Sequence, residues 1–558
     1  MDLTDIIYSN DYINILIQNY VAQSERYQML FPESSALLTL NPQYSVLFLE
    51  RSLLPENLFG AVPFTGLPKL FTPLSTLSLE VSGIVQTQNL YGGGYTGKNV
   101  IFGFLDTGID YRHPAFLHAN GQSRILAVWD QTDRTGTPPA QFPYGSLYTK
   151  SDLDAALESS DPLSLVPVTD PDGHGTYVAG VAGFLGAGPE ADFAVVKLKP
   201  AKQNLKDFYL VSSNAPVFEE DDLLSAMHFL NETAAAEGKP LVLCLALGTN
   251  QGSHSGTLPV SLTLARYGNT PGVIPVCATG NEGNAAHHYY GSVSETYTPK
   301  NVEFLVSEGN RGFTLELWGQ APQLFSVGFR SPGGETIPRI PVSLNQEQRI
   351  TFVLERTVIY VNYEVVQATT GSQLILIRML DPTPGIWTLQ VYRAFPSPPD
   401  FHIWLPITGF STSDVTFLEP DPYTTLTTPS ATVPVLSPST YQAANNSFSP
   451  ESGRGFTRLG EIKPDFAAPG VSVTGPGPAG SYVSFSGSSA SAAITSGAAA
   501  LFLQWGIQRT PARYFTAQEV KNYLIRGADR TDTITYPSRE WGYGRLQLYQ
   551  SFTSLMTN

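Results

Sequence analysis

The sequence predicts an α/β protein built from a mostly parallel sheet with helices on both faces. A small α+β unit precedes this sheet, and an antiparallel, jelly-roll-like β-sandwich is inserted within it. Apolar strands alternate with helical segments between residues 193 and 279, which is the pattern of a parallel sheet covered on both sides. Between residues 291 and 434, short strand-like runs follow one another without helix signals, which is typical of a sandwich.

Composition narrows the classes of function. A chain of 558 residues is too long for one ordinary core, so we expect two or three domains. The formal net charge of −16 argues against a nucleic-acid partner. The longest apolar run, residues 490–503, is too short to cross a bilayer, which argues against a membrane partner. The N-terminus, Met1–Asp5, has no signal-like pattern, so we expect no signal peptide.

The first 76 residues form the predicted α+β unit. Ile6–Tyr8 is interpreted as a short strand, and residues 11–21 as a helix because of their apolar spacing. Three further strands are predicted, at residues 27–30, 36–40 and 44–49. Residues 61–76 are rich in proline and threonine and resemble a tether. The predicted domains are therefore 1–76, 77–290, 291–434 and 435–558, the last range completing the sheet begun by the second.

A serine stands at the start of an unusual helix. The turn Gly487-Ser488-Ser489 leads into a run of small apolar residues, 490–500, which suits a tightly packed central helix. A hydroxyl in that position lies beside unpaired backbone N–H groups, which can stabilise an anion on a bound substrate. Taken alone, a serine before a helix is more often just an N-cap.

Two other segments change that interpretation. The apolar strand 100–105 ends at Asp106, and His174 opens a second helix of small residues. Asp, His and then Ser is one of the known chain orders for a Ser-His-Asp nucleophilic site. A lone Asp106-Thr107-Gly108 does not suit an aspartic protease, which needs two such carboxylates, and a second one is missing from the sequence.

Four blocks give the chain a specific resemblance to subtilisin-type serine proteases. They are Asp106-Thr107-Gly108, His174-Gly175-Thr176, Gly487-Ser488-Ser489-Ala490 and Ala278-Thr279-Gly280-Asn281-Glu282-Gly283. The resemblance implies a catalytic triad of Asp106, His174 and Ser489, with Asn281 in the oxyanion hole. It also implies that the substrate pocket is walled by Ala246, Leu247, Gly248, Ala278, Thr279 and Gly280.

The size of the N-terminal unit, the inserted sandwich and the stretch 247–254 make the chain similar to the Csp germination proteases of clostridial spores. This similarity implies a pro-domain that remains as a bound inhibitor after self-cleavage between about Leu74 and Ser78. It implies a protein substrate, a spore-cortex hydrolase zymogen, and a location in the spore or the mother-cell cytoplasm. Two alternatives stay open. The protein is an inactive signalling scaffold, which some members of that family resemble, or it is a general degradative protease.

The sequence departs from the subtilisin pattern in several places. Ser488 replaces the usual Thr, Ser491 replaces Ala, and Ala493 replaces Pro. Ala115 stands where many subtilisins carry a calcium-ligating Asp, so we expect neither a metal nor a cofactor. Residues 131–169 lengthen the segment between Asp106 and His174 and are predicted to form an extended surface loop near the cleft. The two cysteines, Cys244 and Cys277, lie in apolar runs and are predicted to be reduced core residues.

Overall fold

The computed structural model describes residues 3–19, 35–55, 58, 62–73, 82, 84–88, 94–183, 188–343, 347–395, 399–509 and 513–556. The predicted strand at 27–30 and the predicted cleavage region 74–78 lie outside these residues. The division of the chain into four domain segments stays a prediction.

The strands are numbered along the chain. The first part of the chain contributes β1 (Tyr12–Gln18), β2 (Ala36–Thr39), β3 (Tyr44–Glu50), β4 (Leu70–Pro73), β5 (Ile101–Asp106), β6 (Ile125–Asp130), β7 (Ser146–Thr149), β8 (Asp192–Lys197), β9 (Phe218–Glu219), β10 (Leu241–Leu245), β11 (Leu247–Gly248) and β12 (Val273–Cys277). The later part contributes β13 (His288–Ser292), β14 (Lys300–Val306), β15 (Gly312–Gly319), β16 (Phe325–Arg330), β17 (Thr336–Ile340), β18 (Gln348–Thr351), β19 (Val358–Glu364), β20 (Gln373–Leu380), β21 (Gly385–Arg393), β22 (Asp400–Trp404), β23 (Val415–Phe417), β24 (Pro438–Gln442), β25 (Ser447–Phe448), β26 (Phe466–Pro469), β27 (Val473–Pro476) and β28 (Tyr482–Phe485).

The α-helices are numbered in the same way. They are α1 (Leu3–Tyr8), α2 (Ile84–Gln88), α3 (Lys150–Glu158), α4 (Pro162–Leu165), α5 (His174–Gly183), α6 (Gln203–Tyr209), α7 (Glu220–Ala236), α8 (Pro259–Gly268), α9 (Ser488–Ile507), α10 (Ala517–Arg526) and α11 (Leu548–Met556).

The central sheet has the order β12-β10-β5-β8-β6-β7 and is parallel except for its edge strand β7. Alternate residues of β5 enter two different hydrophobic clusters. Phe102 and Phe104 pack with α5 and α9, whereas Ile101 and Leu105 pack with α7 and α8. The predicted parallel sheet with helices on both faces is therefore confirmed. Because the strands are parallel, β5, β10 and β12 all end at the same edge of the sheet, where functional residues usually gather.

The N-terminal segment differs from its prediction. Ile6–Tyr8 belongs to the helix α1, and most of the predicted helix is the strand β1. This strand lies at one edge of the antiparallel sheet β1-β3-β2, paired with the central strand β3. The first five residues of β1 are all buried, so neither of its faces is exposed to solvent. A strand buried on both sides loses the alternation that identifies strands, and its isoleucines match helical spacing by chance.

The region 291–434 contains the predicted strands. They form two antiparallel sheets, of order β13-β22-β15-β20-β19-β18 and β17-β16-β21-β14-β23. Residues from both sheets, among them Phe313 and Trp387, belong to one buried cluster. The eight predicted strands correspond to β14, β15, β16, β18, β19, β20, β21 and β22, while β13, β17 and β23 were not predicted.

Two more expectations can be compared with the structure. The segment 131–169 is more regular than the predicted loop, because it contains β7, α3 and α4. Cys244 and Cys277 are free, buried thiols, as predicted, and burial raises the pKa of Cys244 to about 12. Of the described helices, α9 alone is long and apolar enough to cross a membrane, but 89% of its apolar window is buried inside the protein, as in a core helix.

Candidate active site

Asp106, His174 and Ser489, which are distant in the sequence, lie side by side in the structure. His174 Nδ1 is 2.7 Å from Asp106 Oδ1, and His174 Nε2 is 3.1 Å from Ser489 Oγ. All three residues are at least 94% buried. With Nδ1–H donating to Asp106, Nε2 of the neutral imidazole can accept the Ser489 proton. This is the hydrogen-bonded series that an acyl-transfer site requires.

Local structure explains how Asp106 and His174 meet. Asp106 is the last residue of β5 and His174 is the first residue of α5. Gly175 allows the close approach, because a Cβ at this position would lie 2.2 Å from the carbonyl oxygen of Gly108. Any side chain here would therefore push the helix away from the strand that carries Asp106.

Asp170 holds the same junction together and was missed by the sequence analysis. Its Oδ1 accepts hydrogen bonds from Thr107 Oγ1 at 2.7 Å and from the Gly173 amide at 3.0 Å. Its Oδ2 accepts from the Thr176 amide at 2.8 Å and the Thr176 hydroxyl at 2.7 Å. The side chain thus connects the end of β5 with the first turn of α5. A polar residue four positions before the histidine was the available signal.

Ser489 lies in the first turn of α9, beside Asn281. Asn281 Oδ1 accepts a hydrogen bond from the Ser488 amide at 2.9 Å, which fixes the orientation of the Asn281 amide group. With Oδ1 engaged in this way, the donor Nδ2 is on the opposite side of the group. Ser488 replaces the usual Thr of the subtilisin pattern but still supplies a hydroxyl. Its Oγ accepts a hydrogen bond from the Gly280 amide at 3.0 Å.

The predicted pocket walls are the chain continuations of β10 and β12. Ala246 O lies 3.4 Å from Ser489 Oγ, which places Ala246, Leu247 and Gly248 directly beside the nucleophile. The second wall, Ala278, Thr279 and Gly280, is joined to the first through the hydrogen bond from the Ala278 amide to Leu245 O at 3.0 Å. The triad residues, Asn281 and the two predicted pocket segments therefore lie at the edge of the sheet where β5, β10 and β12 end.

A strand from the N-terminal segment occupies the groove next to this pocket. β4 pairs antiparallel with β11, with Thr72 opposite Gly248 and Pro73 opposite Leu247. On its other side β4 pairs antiparallel with β9, with Leu70 opposite Glu219. The Leu70 amide also donates to Gln251 Oε1 at 3.0 Å. β9 is a groove wall that the sequence analysis did not identify, since two residues are too few for a recognisable pattern.

The glutamate next to Asn281 is held by residues from distant parts of the chain. Glu282 Oε2 accepts from Asn250 Nδ2 at 3.0 Å and from His287 Nδ1 at 2.5 Å. Glu282 Oε1 accepts from the Thr408 hydroxyl at 2.6 Å and the Thr408 amide at 3.2 Å. Burial favours the neutral acid, but the charge of His287 and the hydrogen bonds from His287 and Thr408 lower the pKa of Glu282.

Three other histidines, His113, His254 and His288, have different surroundings. His113 accepts a hydrogen bond from the Ala115 amide at its own turn. His254 stacks on Trp404, with ring centroids 4.0 Å apart, and His288 lies 4.8 Å from the same ring. Burial lowers the pKa of His254 to about 4 and that of His288 to about 3. These two imidazoles are therefore neutral at physiological pH and pack as aromatic rings.

Comparison with known proteins agrees with this geometry. The sequence profile of the Subtilase family matches residues 97–544. The solved structure of the CspB protease of Clostridium perfringens is similar, with 30% sequence identity and a TM-score of 0.75. The similar region covers 85% of this chain and 96% of the CspB chain.

Curated relatives are more distant. The Subtilisin-like protease PopC of Myxococcus xanthus is 26% identical over 223 residues, which are 38% of this chain and 39% of PopC. The PII-type proteinase of Lacticaseibacillus paracasei is 23% identical over 263 residues, which are 46% of this chain and 13% of that protein. The chain thus spans well under half the length of these two relatives.

Proposed function

The chain belongs to the subtilase family of serine proteases, and from that premise we propose that it is a self-processing endopeptidase. Ser489 attacks the scissile carbonyl, and His174 accepts the Ser489 proton and returns it to the leaving amine. Asp106 holds the imidazole in the productive tautomer and stabilises the imidazolium. The Asn281 side-chain amide and the Ser489 backbone N–H stabilise the oxyanion.

The observation that carries the proposal is the register of β4. Pro73 pairs with Leu247 in an antiparallel ladder, and a chain extended by one residue in this register would have residue 74 opposite Ala246. Ala246 O lies 3.4 Å from Ser489 Oγ. A chain continuing in this register therefore presents the Leu74–Ser75 peptide bond to the nucleophile. That bond falls within the region from Leu74 to Ser78 predicted from the sequence.

We further propose that residues 1–74 stay bound after cleavage and inhibit the enzyme. The β1-β3-β2 sheet is attached by buried polar contacts as well as by apolar packing. Asn14 Nδ2 donates to Glu219 Oε2 at 2.8 Å and to Asp221 Oδ2 at 2.5 Å. Asn14 Oδ1 accepts from Lys202 Nζ at 2.7 Å. Separation would break these hydrogen bonds to charged groups and expose the apolar surface packed beneath the sheet, so the fragment is retained while β4 fills the groove.

The proposed substrate is a zymogen that is cut once or a few times, in particular a spore-cortex hydrolase, at a site in the spore or the mother-cell cytoplasm. The similarity to CspB over most of both chains supports this role. The groove between β9 and β11 adds a physical reason, since it accepts an extended segment as a middle strand. Exposed linkers between a pro-peptide and its enzyme have this conformation.

The mass of the purified protein tests self-processing. Wild-type protein is expected to separate under denaturing conditions into fragments 1–74 and 75–558 that elute together under native conditions. Ser489→Ala is expected to stay intact because it lacks the nucleophile. Ser491→Ala, which keeps Ser489, serves as the control and is expected to process normally. Intact wild-type chains would contradict self-processing and favour the scaffold alternative.

A second experiment tests the substrate class. The processed protein is incubated with unfolded casein and, separately, with cortex-hydrolase zymogens. One or a few cuts in a zymogen with slow casein digestion are expected from a groove that admits only extended segments. Rapid casein digestion at many sites with every zymogen left intact would instead support a degradative protease.

A further inference from the structure

One amide of β4 is bound by a side chain instead of a neighbouring strand. The carbonyl and the N–H of a trans peptide point in opposite directions. In the peptide that joins Lys69 to Leu70, the carbonyl oxygen accepts from the Glu220 amide at 3.0 Å, on the side of β9. The Leu70 N–H therefore points to the other side, where β11 lies, and it donates there to Gln251 Oε1 at 3.0 Å in a buried hydrogen bond.

β11 ends too early to accept this amide with its own backbone. A continued β4–β11 register would place Asn250 opposite the residue that carries the amide. The chain turns away before that point, and Thr249 exchanges two backbone hydrogen bonds with Thr428, at 2.9 and 3.1 Å. The Asn250 carbonyl oxygen lies 2.9 Å from His254 Nε2 instead. The side chain of Gln251 thus takes the place of a strand residue and lengthens the ladder by one hydrogen bond.

Gln251 is held in position by its own segment and by the inserted sheets. The residue is only 6% exposed, so few side-chain conformations are open to it. Its amide donates to Thr249 Oγ1 at 3.1 Å. The next amide, that of Gly252, donates to Glu316 Oε2 at 3.0 Å, and Glu316 lies on β15 of the inserted sheets. The acceptor is therefore preorganised, and a chain entering the groove gains the hydrogen bond without having to order this loop.

We propose that Gln251 is a substrate-binding residue that accepts a hydrogen bond from the main-chain amide of the fifth residue before the cleaved bond. The inference rests on the proposed function, in which β4 marks the path of the substrate and the cut follows Leu74, so that Leu70 is the fifth residue. Because the donor is a backbone group, the contact selects an extended conformation and no particular side chain. Substrates then need at least five residues before the cut, and proline is disfavoured in the fifth position because it has no amide hydrogen.

Internally quenched peptides with the sequence of residues 67–78 test this proposal. One peptide has the natural amide between residues 69 and 70, and in the other an ester replaces this amide, which removes the N–H and nearly keeps the shape. Processed wild-type protein is expected to cleave the amide peptide with a kcat/KM about tenfold higher, because the ester leaves Gln251 Oε1 without its donor. The ratio for one enzyme preparation is independent of the fraction still inhibited. Equal cleavage of both peptides would overturn the contact and leave the proposed function standing, whereas cleavage of neither peptide would overturn both.

Variants show whether Gln251 causes the preference, since an ester also weakens the carbonyl group that faces β9. Gln251→Met keeps the length of the side chain without the acceptor and is expected to reduce the amide-to-ester ratio to about threefold or less. Gln251→Glu keeps an acceptor oxygen and should retain the wild-type ratio. Gln320→Met, at an exposed position directly after β15, is the matched control and should also retain it. A wild-type ratio in Gln251→Met would show that the amide is bound elsewhere and would overturn the proposal.

Discussion

Asn281 is oriented before any substrate arrives, because its Oδ1 accepts from the Ser488 amide. Preorganised donors of this kind are among the largest contributions to acyl-transfer catalysis, since they need not reorganise as charge develops. A backbone hydrogen bond next to the nucleophile thus contributes to this orientation. A substitution at Asn281 or at Ser488 should therefore displace the other residue as well.

Asn281→Leu removes this donor while nearly conserving volume. We expect kcat to fall about 10²–10³-fold with KM little changed, which is the loss known for the corresponding donor of subtilisin. Steady-state kinetics on a peptide substrate measures both constants. A loss below about tenfold would show that the oxyanion is stabilised elsewhere.

Glu282 positions Asn281 through its four accepted hydrogen bonds. In Glu282→Gln one carboxylate oxygen becomes an NH₂ group facing donors from Asn250 and His287 or from Thr408. A buried donor that faces another donor costs about 1–3 kcal/mol, so the loop that carries Asn281 should shift. We expect kcat to fall about tenfold with a smaller change in KM.

The control for this substitution is Glu461→Gln, which changes an exposed glutamate. It should leave both kinetic constants at the wild-type value. Wild-type kcat in Glu282→Gln would show that the network of Asn250, His287 and Thr408 is merely structural.

At the scale of elements, a buried arginine joins β6 to the segments around α5. Arg124 donates to Ala115 O at 2.9 Å, to Gly183 O at 3.3 Å, to Gly188 O at 3.0 Å and to Ala191 O at 2.8 Å. Burial lowers the pKa of Arg124 to about 10, so it stays charged at neutral pH. Carbonyl oxygens converging on a cation are also how proteins bind calcium. Here a guanidinium is that cation, beside the alanine that replaces a calcium-ligating residue in the subtilisin pattern.

Arg124→Met keeps most of the side-chain volume and removes the donors. Four buried carbonyl groups then lose the hydrogen bond from the guanidinium, and we expect the free energy of unfolding to fall by about 3 kcal/mol or more. Thermal unfolding of Ser489→Ala protein with and without this substitution measures the effect. Calcium should not restore the melting temperature, and a chelator should leave that of the parent unchanged. Recovery with calcium would reveal a metal site at these carbonyls.

Elements with one dominant pattern could be predicted from the sequence. The small-residue helices α5 and α9 and eight strands of the inserted sheets are predicted correctly, because each has a single periodicity or composition. β1 was predicted as a helix because an element buried on both faces has no polar side to mark its period. Likewise Ile6–Tyr8 is too short for a pattern to separate strand from helix.

The candidate site likewise contains residues that could be predicted from the sequence and residues that could not. Asp106, His174, Asn281 and Ser489 are placed by local blocks, so the sequence alone identifies them. The partners of Glu282 lie on other segments, and Thr408 is 126 residues away. Such contacts depend on how the inserted sheets pack against the loop, and local periodicity carries no information about this.

At the scale of the whole molecule, stability should depend on the ionisation of Glu316. Burial raises the pKa of Glu316 to about 7, against the hydrogen bonds from Gly252 and Trp318 and the charge of Lys69. The folded state therefore binds more protons than the unfolded state between about pH 4.5 and 7. The contribution of Glu316 to stability therefore falls as pH rises through this window and levels off above it.

Glu316→Gln should make the protein less sensitive to pH. The glutamine keeps an oxygen for the Gly252 and Trp318 hydrogen bonds but cannot ionise. We expect the wild-type contribution, up to about 3 kcal/mol between pH 5 and 8, to disappear. Melting temperatures across this range, measured in the Ser489→Ala background, report the difference, with Glu303→Gln as control. Parallel curves for Glu316→Gln and the control would contradict this assignment.

The double pairing of β4 has a consequence for timing. Leaving the groove requires β4 to break its ladder with β11 and its ladder with β9 in the same event. Separation of a strand paired on both sides resembles local unfolding, whose rate rises steeply with temperature. Under the proposed function, the delay between self-cleavage and the first cut in another protein is therefore a dissociation time. Warming should shorten that lag far more than it accelerates the turnover that follows.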